Sequence, residues 1–148
     1  MPEDFSQSVM LALLPINSDW CKIALPHMTL VYAGQIPDLS ATAFNDLAKD
    51  AYSLSVLSPG SITLSTIGID EFGGDDDDSD PVEVIKLLPT PRLLSMRELV
   101  SRWNASQYPF NPHCTIGPKG SYDGVVPGMI AFDRIYVGYG TQSITFFL

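Results

Sequence analysis

Apolar and polar positions alternate along the chain in segments that predict seven strands and two helices. A period of two residues, or a short apolar run, is typical of a strand, and a period of three to four is typical of a helix. The predicted strands are Val9–Leu14, His27–Ala33, Ser61–Ile69, Val82–Leu88, Cys114–Gly117, Ile130–Val137 and Ser143–Leu148. One predicted helix begins at an N-cap Ser40 and runs to about Leu54, and the other follows the cap Thr90 and covers Arg92–Trp103. This order predicts an α+β chain with mostly antiparallel strands and two related halves, each with one helix.

The length and composition fit one compact domain spanning residues 1–148. Hydrophobic residues make up 45% of the chain and charged residues 17%, an ordinary globular balance. No apolar run approaches the ~20 residues that span a bilayer. The run Val9–Leu14 is short and follows Glu3 and Asp4 rather than basic residues, so it does not resemble a signal peptide. We therefore expect a soluble, cytoplasmic protein with no membrane partner.

The net charge of −9 limits the choice of partners. A protein that grips long nucleic acid displays a basic face toward the phosphates, whereas the basic residues here are scattered from Lys22 to Arg134. A small nucleotide needs only local donors and remains compatible with this charge. The two cysteines, Cys21 and Cys114, form no C-x-x-C pair, so we expect reduced thiols and no thiolate zinc site.

Two hexapeptides in the chain share one pattern and contain its only two histidines. Leu25–Leu30 and Asn111–Ile116 both contain Pro-His-x-Thr followed by an aliphatic residue. Because strand residues i and i+2 point to the same face, each His projects together with its Thr. Met28, Leu30, Cys114 and Ile116 then turn to the packed face. A Cys114–His113 dyad is excluded by the same rule, since adjacent strand residues point to opposite faces.

If the two halves pair about a pseudo-twofold axis, His27, Thr29, His113 and Thr115 converge on one cleft. A neutral imidazole can accept a proton from an attacking oxygen, and a protonated one can donate to the leaving oxygen. The two hydroxyls can bind non-bridging phosphate oxygens. The set predicts phosphodiester cleavage without a metal or other cofactor, although it does not say which histidine is the base.

The paired motifs, the early strand Val9–Leu14 and the helix between the halves resemble the 2H phosphoesterase superfamily. That superfamily includes 2′-5′ RNA ligase-like proteins, 2′,3′-cyclic nucleotide phosphodiesterases and small phage enzymes that destroy cyclic oligonucleotide defence signals. The run Leu25–Gly34 is similar to the phage-type members. The resemblance covers essentially the whole chain. It implies a bilobal, pseudo-twofold fold in which two mostly antiparallel sheets with flanking helices surround a central cleft, with motif strands near 27–33 and 113–117.

Several other residues are candidates for binding the substrate. A nucleotide site needs a flat apolar surface for the base, and the aromatic candidates are Phe110, Trp20, Tyr108 and Tyr139. Lys119, just after the second motif, could supply a positive charge. The acidic run Asp75–Asp80 lacks the Gly and Glu positions of an EF-hand loop, so we expect a solvated hairpin tip.

Three functions remain open at this point. The first is a phosphodiesterase that acts on a cyclic oligonucleotide or on a 2′,3′-cyclic phosphate, with the acidic charge favouring the former. The second is a non-catalytic module that sequesters a nucleotide, which would require neither an acid nor a base. The third is RNA 2′-5′ ligation or RNA end processing, for which the chain offers no nucleotidyl-accepting lysine motif.

Overall fold

The computed structural model describes residues 5–73 and 80–148. Within these residues the chain forms seven strands and two α-helices. They are β1 (Ser8–Pro15), β2 (Met28–Gln35), α1 (Ala43–Leu57), β3 (Ile62–Phe72), β4 (Val82–Leu87), α2 (Pro91–Leu99), β5 (His113–Pro118), β6 (Met129–Tyr139) and β7 (Gln142–Phe147), with short 3-10 turns at Phe5–Gln7, Ile36–Asp38 and Ser101–Trp103. The predicted α+β class is confirmed. Apart from Asp80, the predicted acidic hairpin tip Asp75–Asp80 lies outside the described residues.

The strands form two antiparallel groups that are joined into one sheet. The first group has the order β2-β1-β6-β7 and the second has the order β5-β4-β3. The eleven-residue strand β6 joins them, because its start pairs with Ile62–Ser65 of β3 while the rest pairs with β1. The groups meet again where β2 pairs with β5. The two sheets implied by the resemblance are therefore the two halves of a seven-stranded sheet.

Both helices pack against one continuous hydrophobic core. Helix α1 buries Ala43, Leu47, Ala51 and Leu54, which recur every three or four residues on one face. Helix α2 buries Leu93 and Met96. These helix residues, apart from Ala43, belong to the same cluster of buried side chains as Leu11, Leu30 and Ile135 of the strands. The strands that carry the motifs are thus fixed on their inner face by the main core.

The helix starts show where local sequence signals decide the structure. The predicted Thr90 cap is confirmed, since the Thr90 hydroxyl accepts a hydrogen bond of 3.2 Å from the Leu93 N–H. The predicted Ser40 cap is wrong, because α1 begins after Thr42. The Ser40 carbonyl instead accepts the Ala43 N–H in a turn that precedes the helix. Helix α2 also ends earlier than predicted, and a 3-10 turn at Ser101–Trp103 replaces its last turn. In the described part of the chain, none of the helices combines the length and apolar character needed to cross a bilayer.

Candidate active site

The two motif strands present the same alternation of exposed and buried residues. Met28 and Leu30 are fully buried, whereas His27 and Thr29 are partly exposed. The second motif repeats this arrangement, with Cys114 and Ile116 buried and with His113 and Thr115 partly exposed. Each His and its Thr therefore share the face of the sheet that points away from the core, as the period of a strand requires.

The motifs meet at their central residues. Met28 of β2 pairs with Cys114 of β5 in an antiparallel register. This register places His27 across from Thr115 and Thr29 across from His113, with the two histidines on a diagonal. Diagonal neighbours on one face of an antiparallel pair are ~7–8 Å apart at Cα, and directly opposite residues are ~5 Å apart. Extended by one residue on each side, the register thus puts the four residues at the corners of a square around a pseudo-twofold axis at the Met28–Cys114 pair.

Both imidazoles are held by the same local hydrogen bond. His27 Nδ1 lies 2.7 Å from the carbonyl oxygen of Leu25, and His113 Nδ1 lies 2.7 Å from that of Asn111. In each motif the acceptor is two residues before the His, and a proline stands between them. Proline fixes its own φ and restricts the preceding residue to extended conformations, which limits where that carbonyl can point. The proline of each motif thus helps to orient the ring that follows it.

These hydrogen bonds determine which ring nitrogen is free. A carbonyl oxygen can only accept, so Nδ1 of each ring carries the hydrogen and Nε2 is left for a substrate. Burial lowers the pKa of His27 below its ordinary value, opposed by the bond to Leu25. Burial also lowers the pKa of His113, opposed by the bond to Asn111, and a positive charge on His27 lowers it further. Both rings are therefore neutral bases at neutral pH, and each influences the charge of the other.

Within the described residues, the Thr29 hydroxyl has one weak hydrogen-bond partner. Thr29 Oγ1 donates to Met10 Sδ at 4.0 Å, and thioether sulfur is a weak acceptor. A hydroxyl with so weak a partner can turn toward a phosphate oxygen at little cost.

The Phe72 ring packs edge-on against the His113 ring, with centroids 4.7 Å apart, and so limits the rotation of that imidazole.

A large open cavity lies beside this square. Its volume is about 1000 Å³, and Thr29 and His113 form part of its wall. Two cationic side chains also line it, Lys86 and Arg97. Lys86 lies directly across from His113 on β4 and approaches Asp70 at 4.0 Å. The cavity thus combines two of the four motif side chains with two cations and one carboxylate, Glu71, a balance of positive charge that suits an anionic ligand.

The candidate substrate-binding residues divide into two groups. Phe110 and Tyr108 line this cavity. Trp20 is buried and lines a different cavity of about 420 Å³. Tyr139 stacks on Phe44 with centroids 5.0 Å apart, at the edge of the core. Lys119 is exposed and pairs with Glu71 at 3.6 Å. Trp20, Tyr139 and Lys119 therefore lie outside the lining of this cavity, and the charge of Lys119 is partly compensated by Glu71, which does line it.

Three residues that line the cavity, Phe72, Lys86 and Arg97, were not predicted from the sequence. Lys86 alternates with the apolar residues of β4, so its exposure was predictable, but its position across from His113 depends on the strand pairing. Arg97 lies in the last turn of α2. No local pattern in the sequence places either residue beside a motif that is distant along the chain.

Both cysteines are free thiols. Cys114 is buried on the face opposite the imidazoles, and burial raises the pKa of its thiol. Cys21 is partly exposed, and its Sγ lies 3.6 Å from the Thr115 carbonyl oxygen. Burial raises the pKa of this thiol too, so both sulfurs are neutral at neutral pH. Among residues 5–73 and 80–148, no group of three or more His, Cys, Asp or Glu side chains is arranged to hold a metal ion.

The fold is that of the 2H phosphoesterases. The chain is similar in structure to Usb1 from Kluyveromyces marxianus, with a TM-score of 0.68 at 12% identity over 97% of this chain and 99% of Usb1. The structure of Usb1 with uridine monophosphate has a TM-score of 0.66 at 11% identity over 99% and 100% of the two chains. E. coli LigT in complex with NADP+ has a TM-score of 0.53 at 16% identity over 96% and 95%. Both proteins are members of the 2H phosphoesterase superfamily.

The other comparisons give no match. No protein-family model matches the sequence, and no curated protein matches it. At these low identities the structural similarity establishes the fold, and the chemistry of the site must be argued from this chain's own residues.

Proposed function

We propose that this protein is a phosphodiesterase that cleaves a small nucleotide by acid–base catalysis between His27 and His113. The observation that carries the proposal is the pairing of the two motifs at Met28 and Cys114, which brings both imidazoles to one face with Nε2 free. Two histidines on a diagonal can act on opposite sides of one phosphorus atom, as an in-line displacement requires.

The proposed reaction uses the histidines in opposite protonation states. One neutral imidazole accepts the proton of the attacking oxygen through Nε2, and the other, protonated, donates its Nε2 proton to the leaving oxygen. In a 3′-5′ linkage the attacking group is the neighbouring 2′-OH, and the 5′ oxygen leaves as an alcohol. In a 2′,3′-cyclic phosphate the attacking group is water, and a ring oxygen leaves. Proton transfer balances in both cases without a metal ion.

Thr29 and Thr115 complete the proposed site. Their hydroxyls donate hydrogen bonds to the two non-bridging oxygens of the phosphate, which become more negative in the transition state. The diagonal of threonines crosses the diagonal of histidines, so the four contacts surround the phosphorus. An internal 2′-OH or a strained ring suits such a site, since proximity lowers much of the barrier that a metal-bound hydroxide would otherwise have to overcome.

The proposed substrate is a small nucleotide, and we favour a cyclic oligonucleotide over a 2′,3′-cyclic mononucleotide. The cavity of about 1000 Å³ has the size of a large ligand pocket. The exposed ring of Tyr108 and the ring of Phe110 offer surfaces for stacking a base. The net charge of −9 disfavours long nucleic acid. Structures of the neighbours contain uridine monophosphate, 3′-AMP and NADP+. Such a substrate would suit a phage enzyme that degrades a cyclic oligonucleotide defence signal in the host cytoplasm.

The test is to incubate the protein with cyclic mono-, di- and trinucleotides and with linear 2′-5′ and 3′-5′ oligonucleotides, with and without EDTA. We expect cleavage of ribonucleotide substrates that persists in EDTA, and no cleavage of the matched 2′-deoxy compounds. Rapid cleavage of the deoxy compounds, or activity lost in EDTA and restored by zinc or manganese, would contradict the mechanism. Tight binding without turnover would instead favour a nucleotide-sequestering module, and joined oligonucleotides would favour a ligase.

A further inference from the structure

Arg97 extends from α2 into the wall of the cavity that Thr29 and His113 also line. Its guanidinium carbon lies 4.6 Å from the centroid of the Phe110 ring, so the cation covers the face of this aromatic residue. Its Nε is buried and has no hydrogen-bond partner among the described residues. A buried N–H that lacks an acceptor is costly, so the described residues do not hold this guanidinium by hydrogen bonds, and its other N–H groups can donate to a ligand.

The other arginines of the chain lie within the described residues and have acceptors there. Arg92 donates to the Ser58 hydroxyl and to several carbonyl oxygens of the same loop. Arg102 pairs with Asp50 at 2.8 Å, and Arg134 pairs with Asp133 at 2.8 Å. Arg102 also lies over a ring, that of Trp103, but Asp50 compensates its charge. Arg97 differs because, within the described residues, its guanidinium contacts the Phe110 ring and forms neither an ion pair nor a hydrogen bond. An arginine in a cavity wall with no acidic partner among these residues is suited to binding an anionic ligand.

The position of Arg97 separates it from the four motif side chains. Its aromatic partner Phe110 lies three residues before His113, and three extended residues span at most ~11 Å. The two histidines and two threonines already surround one phosphate in the proposed mechanism. An anion at Arg97 would lie beside that phosphate, at a distance that a nucleotide unit can bridge.

We infer that Arg97, held by Phe110, forms a second phosphate subsite, so that the substrate carries at least one phosphate besides the scissile one. This inference rests on the proposed function and narrows its substrate class. The guanidinium edge binds the non-scissile phosphate through charge-assisted hydrogen bonds, a geometry that matches Arg better than Lys. The subsite selects nucleotides with two or more phosphates against a simple 2′,3′-cyclic mononucleotide.

The experiment compares two probes that require no turnover, adenosine 3′-monophosphate and adenosine 3′,5′-bisphosphate. Calorimetric binding is measured for the wild-type protein, for Arg97→Gln and for Arg102→Gln. The last variant removes the same charge from an exposed residue that is paired with Asp50. We expect the wild-type protein to bind the bisphosphate about tenfold to a hundredfold more tightly, the range of one charged hydrogen-bonding contact. Arg97→Gln should abolish this preference, and Arg102→Gln should retain it.

Several results would overturn the inference. The first is an equal loss of affinity for both probes in Arg97→Gln, which would place Arg97 at the scissile phosphate. The second is a preference for the bisphosphate that is unchanged in this variant. The third is no preference for the bisphosphate in the wild-type protein. If Arg97→Gln does not fold, Arg97→Met, which puts an unbranched apolar side chain beside Phe110 and also removes the charge, should show the same loss. A bisphosphate preference without any cleavage activity would refute the proposed function and leave the subsite standing. Cleavage by the wild-type protein, with a bisphosphate preference that Arg97→Gln does not change, would refute the subsite and leave the proposed function standing.

Discussion

Replacing Thr29 by valine removes one hydroxyl and keeps the branched shape of the side chain. The structure predicts that this change costs little folding stability. The one hydrogen bond of Thr29 Oγ1 within the described residues is to Met10 Sδ at 4.0 Å, a long contact to a weak acceptor. We therefore expect the free energy of unfolding to change by no more than about 0.5 kcal/mol.

The expected effect of this substitution on catalysis is much larger. In the proposed mechanism, the Thr29 hydroxyl donates to a phosphate oxygen whose negative charge grows in the transition state. Loss of one such donor costs ~10²–10³ in rate in well-enclosed sites. The cavity here is open, which weakens the interaction, so we expect kcat/KM to fall by about 10–10³, or ~1.4–4 kcal/mol of transition-state stabilisation.

The assay is steady-state cleavage of a ribonucleotide substrate together with urea denaturation of the same preparations. Thr145→Val is the matched control, since Thr145 is an exposed threonine on β7 that does not line the cavity. The control should retain wild-type kcat/KM. Full activity of Thr29→Val at unchanged stability would refute the reasoning, because the motif threonine would then be a packing residue. A loss of stability that parallels the loss of rate would refute it as well.

Four further predictions concern the two histidines and the arginines Arg92 and Arg102. His27→Ala and His113→Ala should each lower kcat/KM by about 10²–10⁴ without changing the circular dichroism spectrum, and near wild-type turnover in either variant would exclude the acid–base scheme. Because the pKa values of both rings lie below the ordinary 6.5, kcat/KM should follow a bell with its maximum below that pH. A maximum above pH 6.5 would contradict this. Because both pKa values are lowered by folding, the unfolded chain binds more protons than the folded one below pH 6.5. The stability that the neutral rings contribute should therefore be complete above pH 6.5 and decline as the pH falls through the pKa values of the folded state. Arg92→Met should lower the free energy of unfolding by about 1–3 kcal/mol in urea, since its charged donors hold the loop at Ser58. Arg102→Met, which breaks an exposed pair, should cost less than about 1 kcal/mol, and equal costs would refute the comparison.

The strands and helices were predictable because their signals are local. Alternation along Ser61–Ile69, where Ile62 and Leu64 are buried, and the helical spacing of Leu47, Ala51 and Leu54 are both patterns of one buried face. The start of α1 was harder to predict, since Ser40 and Thr42 are both good capping residues and tertiary packing decides between them. Local signals thus define the elements better than they define the element ends.

The composition of the candidate site was only partly predictable. Phe110 lies close to the second motif along the chain and also in space. Lys119 is equally close along the chain, but it follows the end of β5 and pairs with Glu71. Lys86 belongs to another strand and reaches the cavity because β4 pairs with β5 in the register that joins it to His113. A charge beside a site is a property of strand register, which short sequence patterns do not encode.

The near symmetry of the motifs raises the question of how two similar histidines come to play different parts. Each ring has the same hydrogen bond, to the carbonyl two residues earlier, so the local geometry does not distinguish acid from base. The charge of each ring does influence the other, because a proton on His27 lowers the pKa of His113. By linkage, a proton on His113 has the same effect on His27. Repulsion therefore widens the pH range in which the pair holds a single proton. That singly protonated pair is the state with one acid and one base, and the substrate's orientation then selects which histidine performs each role.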